Sequence, residues 1–177
     1  EPTRRLIADY GDNCDDLHTD LHECLGHGSG RLLPGTDPDT LRAYGSTIEE
    51  ARADLFALYY LGDEKLVELG LTPNMDAHKS QYYSYLQNGA LTQLVRIKAG
   101  ATIEEAHMRN RALVANWVLD HARMAKTAHP AAELVKVKGK TYVRVNDYVE
   151  VRRLFGELLA EIQRIMSEGD FNAARDL

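Results

Sequence analysis

The chain is organised around one short segment, which reads Leu21-His22-Glu23-Cys24-Leu25-Gly26-His27. Its two histidines stand at positions i and i+5. On a regular helix of about 100° per residue, that spacing places them about 140° apart, too far around to share a metal ion. A single wider π-type turn would return both to one face, and such turns are frequent at functional sites. Gly26 tolerates unusual backbone angles, so we predict a π-type turn here.

The residue types in this segment are those of the metalloprotease signature His-Glu-x-x-His, with one extra residue before the second histidine. Imidazole nitrogens bind zinc, and Glu23 has the chemistry to take a proton from a water that the metal activates. One alternative is a core helix with incidental histidines. Another is a ligand pair of His18 and His22 at i and i+4, but no acid follows His18. We therefore interpret His22 and His27 as ligands, and His18 as a supporting or surface residue.

Composition excludes several classes of protein. The chain has 177 residues, enough for one domain with a sizeable core. Its net charge is −6 and no basic patch stands out, so nucleic acid is not an expected partner. The apolar runs are too short to span a membrane. No signal peptide is visible, but the sequence begins with Glu1 rather than methionine, so this says little about targeting. We expect a cytoplasmic protein. On a helix, Cys14 and Cys24 would be too far apart to form a disulfide.

The pattern along the chain predicts a mostly α fold with one short β-hairpin, in a single helical region 1–177. A loop is predicted over 31–45. A hairpin is predicted around Lys138-Gly139, because the segments on either side, Leu134 to Val137 and Thr141 to Val145, are rich in β-branched or apolar residues. Helices are predicted at about 15–28, from 46 or 47 to 61, at 64–69, at 76–99, from a capping box at 102–105 to about 126, at 147–166 and for a last turn or two after 170.

A catalytic zinc normally has three protein ligands and one open position, so the chain must supply a third ligand. The best candidates lie in the acidic segment Glu49-Glu50-Ala51-Arg52-Ala53-Asp54. Acids are also favoured in the first turn of any helix. Thr47 with Glu50, or Ser46 with Glu49, would form a capping box. From the spacing alone, Glu50 is equally well explained as a ligand or as part of a cap.

Taken together, these two segments resemble the dipeptidyl peptidase III family of zinc exopeptidases. That family is marked by His-Glu-x-x-Gly-His and a later Glu-Glu-x-Arg-Ala-Glu/Asp. The resemblance implies one Zn²⁺ per chain, bound by His22, His27 and Glu50, with Glu23 as general base. It also implies that Glu49 and Asp54 accept hydrogen bonds from the ligand histidines. Animal relatives carry Glu at the position of Asp54, and the gap between their motifs is longer.

A third segment, Ala106-His107-Met108-Arg109-Asn110-Arg111, matches a family pattern of Ala-His-Met followed by arginine. A lone helical histidine is more often structural, but the resemblance implies that His107 lies beside the zinc and stabilises the transition state. Arg111 would contact substrate or an acidic neighbour. The likeness extends to Ser167-Glu168-Gly169-Asp170. The family's proteins are much longer and have two lobes. The resemblance thus implies that this chain is a fragment, most of the helical, zinc-bearing catalytic subdomain of one lobe.

We therefore expect a zinc metallopeptidase that releases dipeptides from the N-terminus of short peptides, with those peptides and the remaining lobe as partners. The family's residues that hold the substrate's N-terminus lie upstream of these segments. One alternative is a zinc-binding helical module, or an isolated catalytic fragment with little activity. The other is a helical interaction domain without metal. The zinc content of the purified protein distinguishes the last of these from the first two.

Overall fold

The computed structural model describes residues 2–98, 100–103, 105–124 and 129–177. It confirms a mostly α fold with one two-stranded antiparallel hairpin. The regular helices are α1 (Pro2–Leu21), α2 (Gly45–Leu61), α3 (Glu64–Glu68), α4 (His78–Gln87), α5 (Ala106–Met124), α6 (Tyr148–Glu168) and α7 (Phe171–Asp176). Two π turns lie at His22–His27 and Asn88–Thr92, two 3₁₀ turns at Arg42–Tyr44 and Gln93–Arg96, and the strands are β1 (Ala132–Val137) and β2 (Lys140–Val145).

Helix α2 is the centre of the packing because its apolar residues face two hydrophobic cores. Leu55 and Leu58 belong to a core shared with α4, α5 and α6. Ala57 and Leu61 belong to a smaller core shared with α1. Helix α2 accordingly contacts α1 as well as α5 and α6.

The hairpin follows the predicted turn and begins two residues earlier than expected in β1. Lys138 and Gly139 have φ of 49° and 79°, the left-handed pair that a tight hairpin turn requires. Val143 is buried in the core, and its backbone N–H donates to Gln87 Oε1 at 2.9 Å. This hydrogen bond joins the hairpin to the end of α4.

Two helices differ from the predictions at their starts. Helix α1 begins at Pro2 rather than near Asp15. In this first part of the helix Tyr10 packs against the smaller core and its hydroxyl oxygen accepts a hydrogen bond from Asn74 Nδ2 at 3.0 Å, so tertiary contacts override the weak helix propensity of the segment. Helix α5 begins at Ala106 rather than at Thr102. The carboxylate of Glu105 caps it by accepting the backbone N–H groups of His107 and Met108, at 2.9 and 2.8 Å.

The predicted helix 76–99 is divided in the structure. α4 ends at Gln87, and the second π turn and a 3₁₀ turn follow. The reason lies at Gly89, where a Cβ would overlap the carbonyl oxygen of Arg111 and lie 2.8 Å from Ala115 Cβ. The close approach to α5 requires glycine at this point. The predicted end at residue 99, the predicted end of α5 at 126, and position 104 of the predicted capping box lie outside the described residues.

The start of α6 agrees with the prediction. Asp147 accepts the backbone N–H groups of Val149 and Glu150, both at 3.0 Å, and Gly169 ends the helix with φ of 66°. Across the described part of the chain, no helix combines the length and apolar character needed to cross a bilayer.

Candidate metal centre

The segment His22–His27 forms a π turn, as the i, i+5 spacing predicts. The turn brings the two histidine rings together, with their centroids 4.6 Å apart and their planes nearly perpendicular. Gly26 makes the turn possible because its backbone touches α2. A Cβ there would lie 2.8 Å from Ala53 Cα and 2.9 Å from Ala53 O. This contact places both histidines beside the acidic first turns of α2.

Three candidate ligand atoms converge at this point. His22 Nε2 lies 3.3 Å from Glu50 Oε2, and His27 Nε2 lies 3.8 Å from the same oxygen. All three side chains offer atoms within 4.8 Å of one another. Ligands of a tetrahedral zinc, each about 2.0–2.1 Å from the metal, are about 3.4 Å apart. The spacing therefore fits a zinc ion with small side-chain adjustments.

Glu50 supplies an independent reason to expect a cation. Its Oε2 atom is buried and accepts no hydrogen bond from the described residues. A buried carboxylate oxygen without a donor is costly. The oxygen lies near three imidazole nitrogens, Nε2 of His22, Nε2 of His27 and Nδ1 of His107, without a hydrogen bond from any of them. A cation between this oxygen and the Nε2 atoms of His22 and His27 would compensate its charge, so the residues present fit a metal.

The orientation of each histidine is fixed by a carboxylate. His22 Nδ1 donates to Asp54 Oδ1 at 2.7 Å, and His27 Nδ1 donates to Glu49 Oε1 at 2.8 Å. Since an ionised carboxylate only accepts hydrogen bonds, Nδ1 carries the proton in both rings. In the neutral form of each ring, which is the form that binds a metal, the lone pair is then on Nε2, the atom that faces Glu50. Glu49 and Asp54 thus occupy the positions expected for orienting groups.

The electrostatics of these pairs follow from the hydrogen bonds. The bond to Asp54 raises the pKa of His22, although burial opposes that shift. Burial also works against ionisation of Asp54, but the hydrogen bonds from His18 and His22 outweigh it and hold the pKa of Asp54 well below its usual range. For Glu49, burial is likewise outweighed by Arg52 and His27, and its pKa is lowered. Both carboxylates are therefore ionised acceptors at neutral pH.

Neither of the capping boxes considered for α2 is formed. The helix begins at Gly45 after Tyr44, which makes no side-chain cap. Ser46 and Thr47 therefore lie within the first turn rather than at the cap. Glu49 is hydrogen-bonded to His27 and Arg52 instead. The structure thus removes the cap as an explanation for Glu50.

His18 is 8% exposed, so of the two predicted roles the surface one is wrong, whereas the supporting one agrees with its contact to Asp54. Its Nε2 atom lies 3.1 Å from Asp54 Oδ1, and His18, His22 and Asp54 form a second group with metal-ligand spacing. In that group, however, both Asp54 oxygens are occupied, since Tyr85 donates to Oδ2 at 2.8 Å. The group with the donor-free oxygen of Glu50 fits a metal better. His18 and His22 are at positions i and i+4 and so lie on the same face of α1, a spacing that could have identified His18 as a second partner of Asp54. No sequence pattern indicates the contact of Tyr85 with Asp54.

Glu23, His107 and Arg111 border one open cleft of about 690 Å³ beside His22. Glu23 is exposed. His107 Nδ1 lies 3.2 Å from Glu50 Oε2, and 52% of its side chain is exposed. The structure therefore brings together the predicted ligands, the predicted base and both candidates from α5.

The fold of this chain is similar to those of several solved structures. No protein-family model matches the sequence. The fold is similar to that of a DPP III from Caldithrix abyssi, with a TM-score of 0.65 and 22% sequence identity. The match covers 90% of this chain and 28% of that chain, so the protein spans less than a third of the DPP III it resembles. The chain has a DPP III-like fold.

Proposed function

We propose that this chain is the zinc-bearing catalytic region of a peptidase of the dipeptidyl peptidase III type. The observation that carries the proposal is the buried, donor-free Oε2 of Glu50, which faces two imidazole nitrogens whose protonation is set by carboxylates. The DPP III-like fold supports it. In this proposal His22, His27 and Glu50 hold one Zn²⁺, and Asp54 and Glu49 orient the two histidines.

A zinc ion at this position would supply Lewis acidity toward a carbonyl oxygen and lower the pKa of a water toward neutrality. Glu23 follows His22 directly and borders the cleft. Its carboxylate takes the proton of the attacking water and returns it to the departing amine, so it acts as base and then as acid. His107 stabilises the negative charge that develops on the carbonyl oxygen. Arg111, one helical turn further along α5, contacts the peptide.

We propose short peptides as substrates and the release of dipeptides as the reaction, because the three motifs resemble those of the dipeptidyl peptidase III family.

The exposure of Glu23 and His107 leaves one side of the site in contact with solvent. We propose that a second lobe of a longer enzyme forms the other wall and binds the substrate's N-terminus. Positioning of a substrate accounts for about 7–11 kcal/mol of barrier reduction in favourable cases. The 177-residue chain alone is therefore expected to cleave much more slowly than a protein that also carries that lobe.

The base is tested by Glu23→Ala and Glu23→Gln. Because Glu23 is not a ligand in this proposal, both variants should bind zinc normally and lose about 10²–10⁴-fold in the turnover of a dipeptidyl-arylamide. The measurements are zinc content and initial rate, in the chain itself or in a longer protein that includes it.

The matched control is Cys24→Ser, which changes the next exposed residue of the same turn and should keep both properties. Turnover by the Glu23 variants at the rate of the unchanged protein would refute the role of Glu23. Zinc binding without measurable turnover, in every protein tested, would favour the alternative of a zinc-binding module.

A further inference from the structure

We propose that Arg52 is a positioning residue for the metal centre, which holds both the side chain and the backbone of His27 in place. The inference rests on the proposed zinc site. None of the sequence patterns discussed above gives Arg52 a role. Four hydrogen bonds, together with the one from His27 to Glu49, form a closed circuit around the π turn.

The first two contacts join Arg52 to the carboxylate that orients His27. Arg52 Nε donates to Glu49 Oε2 at 3.1 Å, and Nη2 donates to Glu49 Oε1 at 2.8 Å. This is the two-point fork that only a guanidinium forms with a carboxylate. Glu49 Oε1 is also the atom that accepts the Nδ1–H of His27. The fork therefore fixes the oxygen that selects the tautomer and the orientation of His27.

The other two contacts join Arg52 to the backbone of the π turn. Arg52 Nη1 donates to Ser29 Oγ at 2.9 Å, and Ser29 Oγ donates to the carbonyl oxygen of Gly26 at 3.0 Å. Gly26 immediately precedes His27. The same guanidinium is thus connected to His27 twice, through Glu49 to its ring and through Ser29 to its backbone.

The surroundings leave Arg52 little freedom to move. It is 2% exposed, and a buried charge is retained only where it is paired and hydrogen-bonded. The loop after the π turn packs directly on it. Gly30 has φ of 85°, and a Cβ there would lie 3.1 Å from Arg52 Nη1 and 2.9 Å from Gln163 Oε1. The guanidinium is therefore confined to the position in which it contacts both partners.

The two ligand histidines differ in how they are supported. Asp54, which orients His22, accepts hydrogen bonds from both His18 and Tyr85. Loss of either donor leaves the other in place. Glu49, which orients His27, has Arg52 as the only partner apart from His27 among the contacts of the described residues. Substitution of Arg52 should therefore disturb His27 selectively.

The test compares zinc affinity in Arg52→Gln, Arg52→Lys and Ser29→Ala, by competition with a fluorescent chelator. Substitution of groups that orient metal ligands typically weakens binding by about 10–100-fold. We expect that loss for both Arg52 variants, because lysine cannot form the fork, and a smaller loss for Ser29→Ala. Thermal unfolding in EDTA reports separately on the metal-free fold.

The matched control is Arg152→Lys. Arg152 also bridges elements, since it donates to Tyr59 O at 2.9 Å and to Asp63 Oδ2 at 3.0 Å, away from the metal centre. This variant should lose stability but keep zinc affinity within about threefold of the unchanged protein.

Each outcome separates this inference from the proposed function. If the unchanged chain binds no zinc, the proposed function fails as well. If it binds zinc and the folded Arg52 variants bind equally tightly, only the role of Arg52 is wrong. If both Arg52 variants fail to fold in EDTA while Ser29→Ala keeps full affinity, Arg52 serves the fold alone and the proposal is overturned.

Discussion

At the scale of single residues, the metal centre depends on which nitrogen of each histidine carries the proton. Asp54 and Glu49 each accept an Nδ1–H, so in the neutral form of each ring the Nε2 lone pair is directed toward Glu50. The oxygen of Glu50 that they face has no donor of its own. The arrangement is polarised for a cation before any cation binds. This preorganisation lowers the reorganisation that metal binding would otherwise require.

Gly26 is the residue whose substitution tests the π turn most directly. In Gly26→Ala the new Cβ would lie 2.8 Å from Ala53 Cα, and neither backbone can yield cheaply. We expect the free energy of unfolding to fall by about 1–3 kcal/mol and zinc affinity to fall by at least about tenfold. Urea unfolding of the metal-free protein and chelator competition measure the two effects.

The control for this substitution is Gly45→Ala, where the nearest atom to the new Cβ is Leu41 Cβ at 3.8 Å. This variant should be neutral in both measurements. A Gly26→Ala protein with unchanged zinc affinity would show that the contact between the turn and Ala53 does not set the ligand geometry.

The sequence predicts individual site residues where a local pattern reports their chemistry. His22, Glu23 and His27 fall within one short motif, and the i, i+5 spacing itself requires the π turn that the structure contains. The partners of these residues are less predictable. Tyr85 reaches Asp54 across 31 positions of sequence, and no local period marks such a contact. Arg52 lies within a recognised motif, but its function depends on Ser29 in a separate loop.

At the scale of secondary-structure elements, the second π turn sets the distance between α4 and α5. Gly89 packs against the backbone of Arg111 and the methyl group of Ala115. Helix α5 also carries His107, whose Nδ1 contacts Glu50. The close contact at Gly89 therefore helps to place His107 beside the candidate ligands.

We predict that Gly89→Ala destabilises the fold by about 1–3 kcal/mol or more, because the added methyl group overlaps the Arg111 carbonyl oxygen. The control is Gly11→Ala in α1, where the nearest neighbour of the new Cβ is Ile7 Cγ2 at 3.4 Å. Alanine is favoured over glycine in a helix by about 1 kcal/mol, so this variant should be neutral or slightly more stable. Chemical denaturation of both variants measures the difference. Equal stabilities would contradict the packing described here.

The elements were predictable where capping residues and turn residues determine their ends. Asp147 begins α6, and Lys138 and Gly139 form the hairpin turn. The predictions were wrong where tertiary contacts determine an element. The first half of α1 is helical despite Gly11 and Asn13. The segment after Gln87 leaves the regular helix because α5 approaches at Gly89.

At the scale of the whole molecule, α2 connects the core to the candidate metal centre. Its apolar residues Leu55 and Leu58 lie in the main core, and its polar residues Glu49, Glu50 and Asp54 face the π turn. The helix that stabilises the fold is therefore also the helix that supplies the acidic ligand. Stability and metal geometry are expected to change together when α2 moves.

The pH dependence of stability should include a contribution from His78, which packs against Tyr82 with ring centroids 4.8 Å apart. Burial, together with the nearby charge of Lys79, lowers the pKa of His78 from 6.5 to about 4. The unfolded state therefore binds more protons between these values. The stability that neutral His78 contributes is complete above about pH 6.5 and is lost as the pH falls toward 4.

The comparison that isolates this contribution is the metal-free protein against His78→Gln, by urea unfolding from pH 7.5 to 4.5. The stability of the unchanged protein should fall more steeply with acid, by at most about 1.4 kcal/mol per pH unit for one proton. The raised pKa of His22 acts in the opposite direction, but it is common to both proteins and cancels in the difference. Parallel curves would contradict the burial of a neutral His78.

The proposed site holds one zinc ion between His22, His27 and Glu50. The decisive measurement is the zinc content of the purified chain and of His22→Ala, His27→Ala, Glu50→Ala and His18→Ala after dialysis against a weak chelator. We predict one zinc per chain in the unchanged protein and in His18→Ala, and little zinc in the other three, because a site with three protein ligands does not tolerate the loss of one. If His18→Ala empties the site while His27→Ala remains loaded, the metal is bound by the i, i+4 pair and the ligand assignment is wrong.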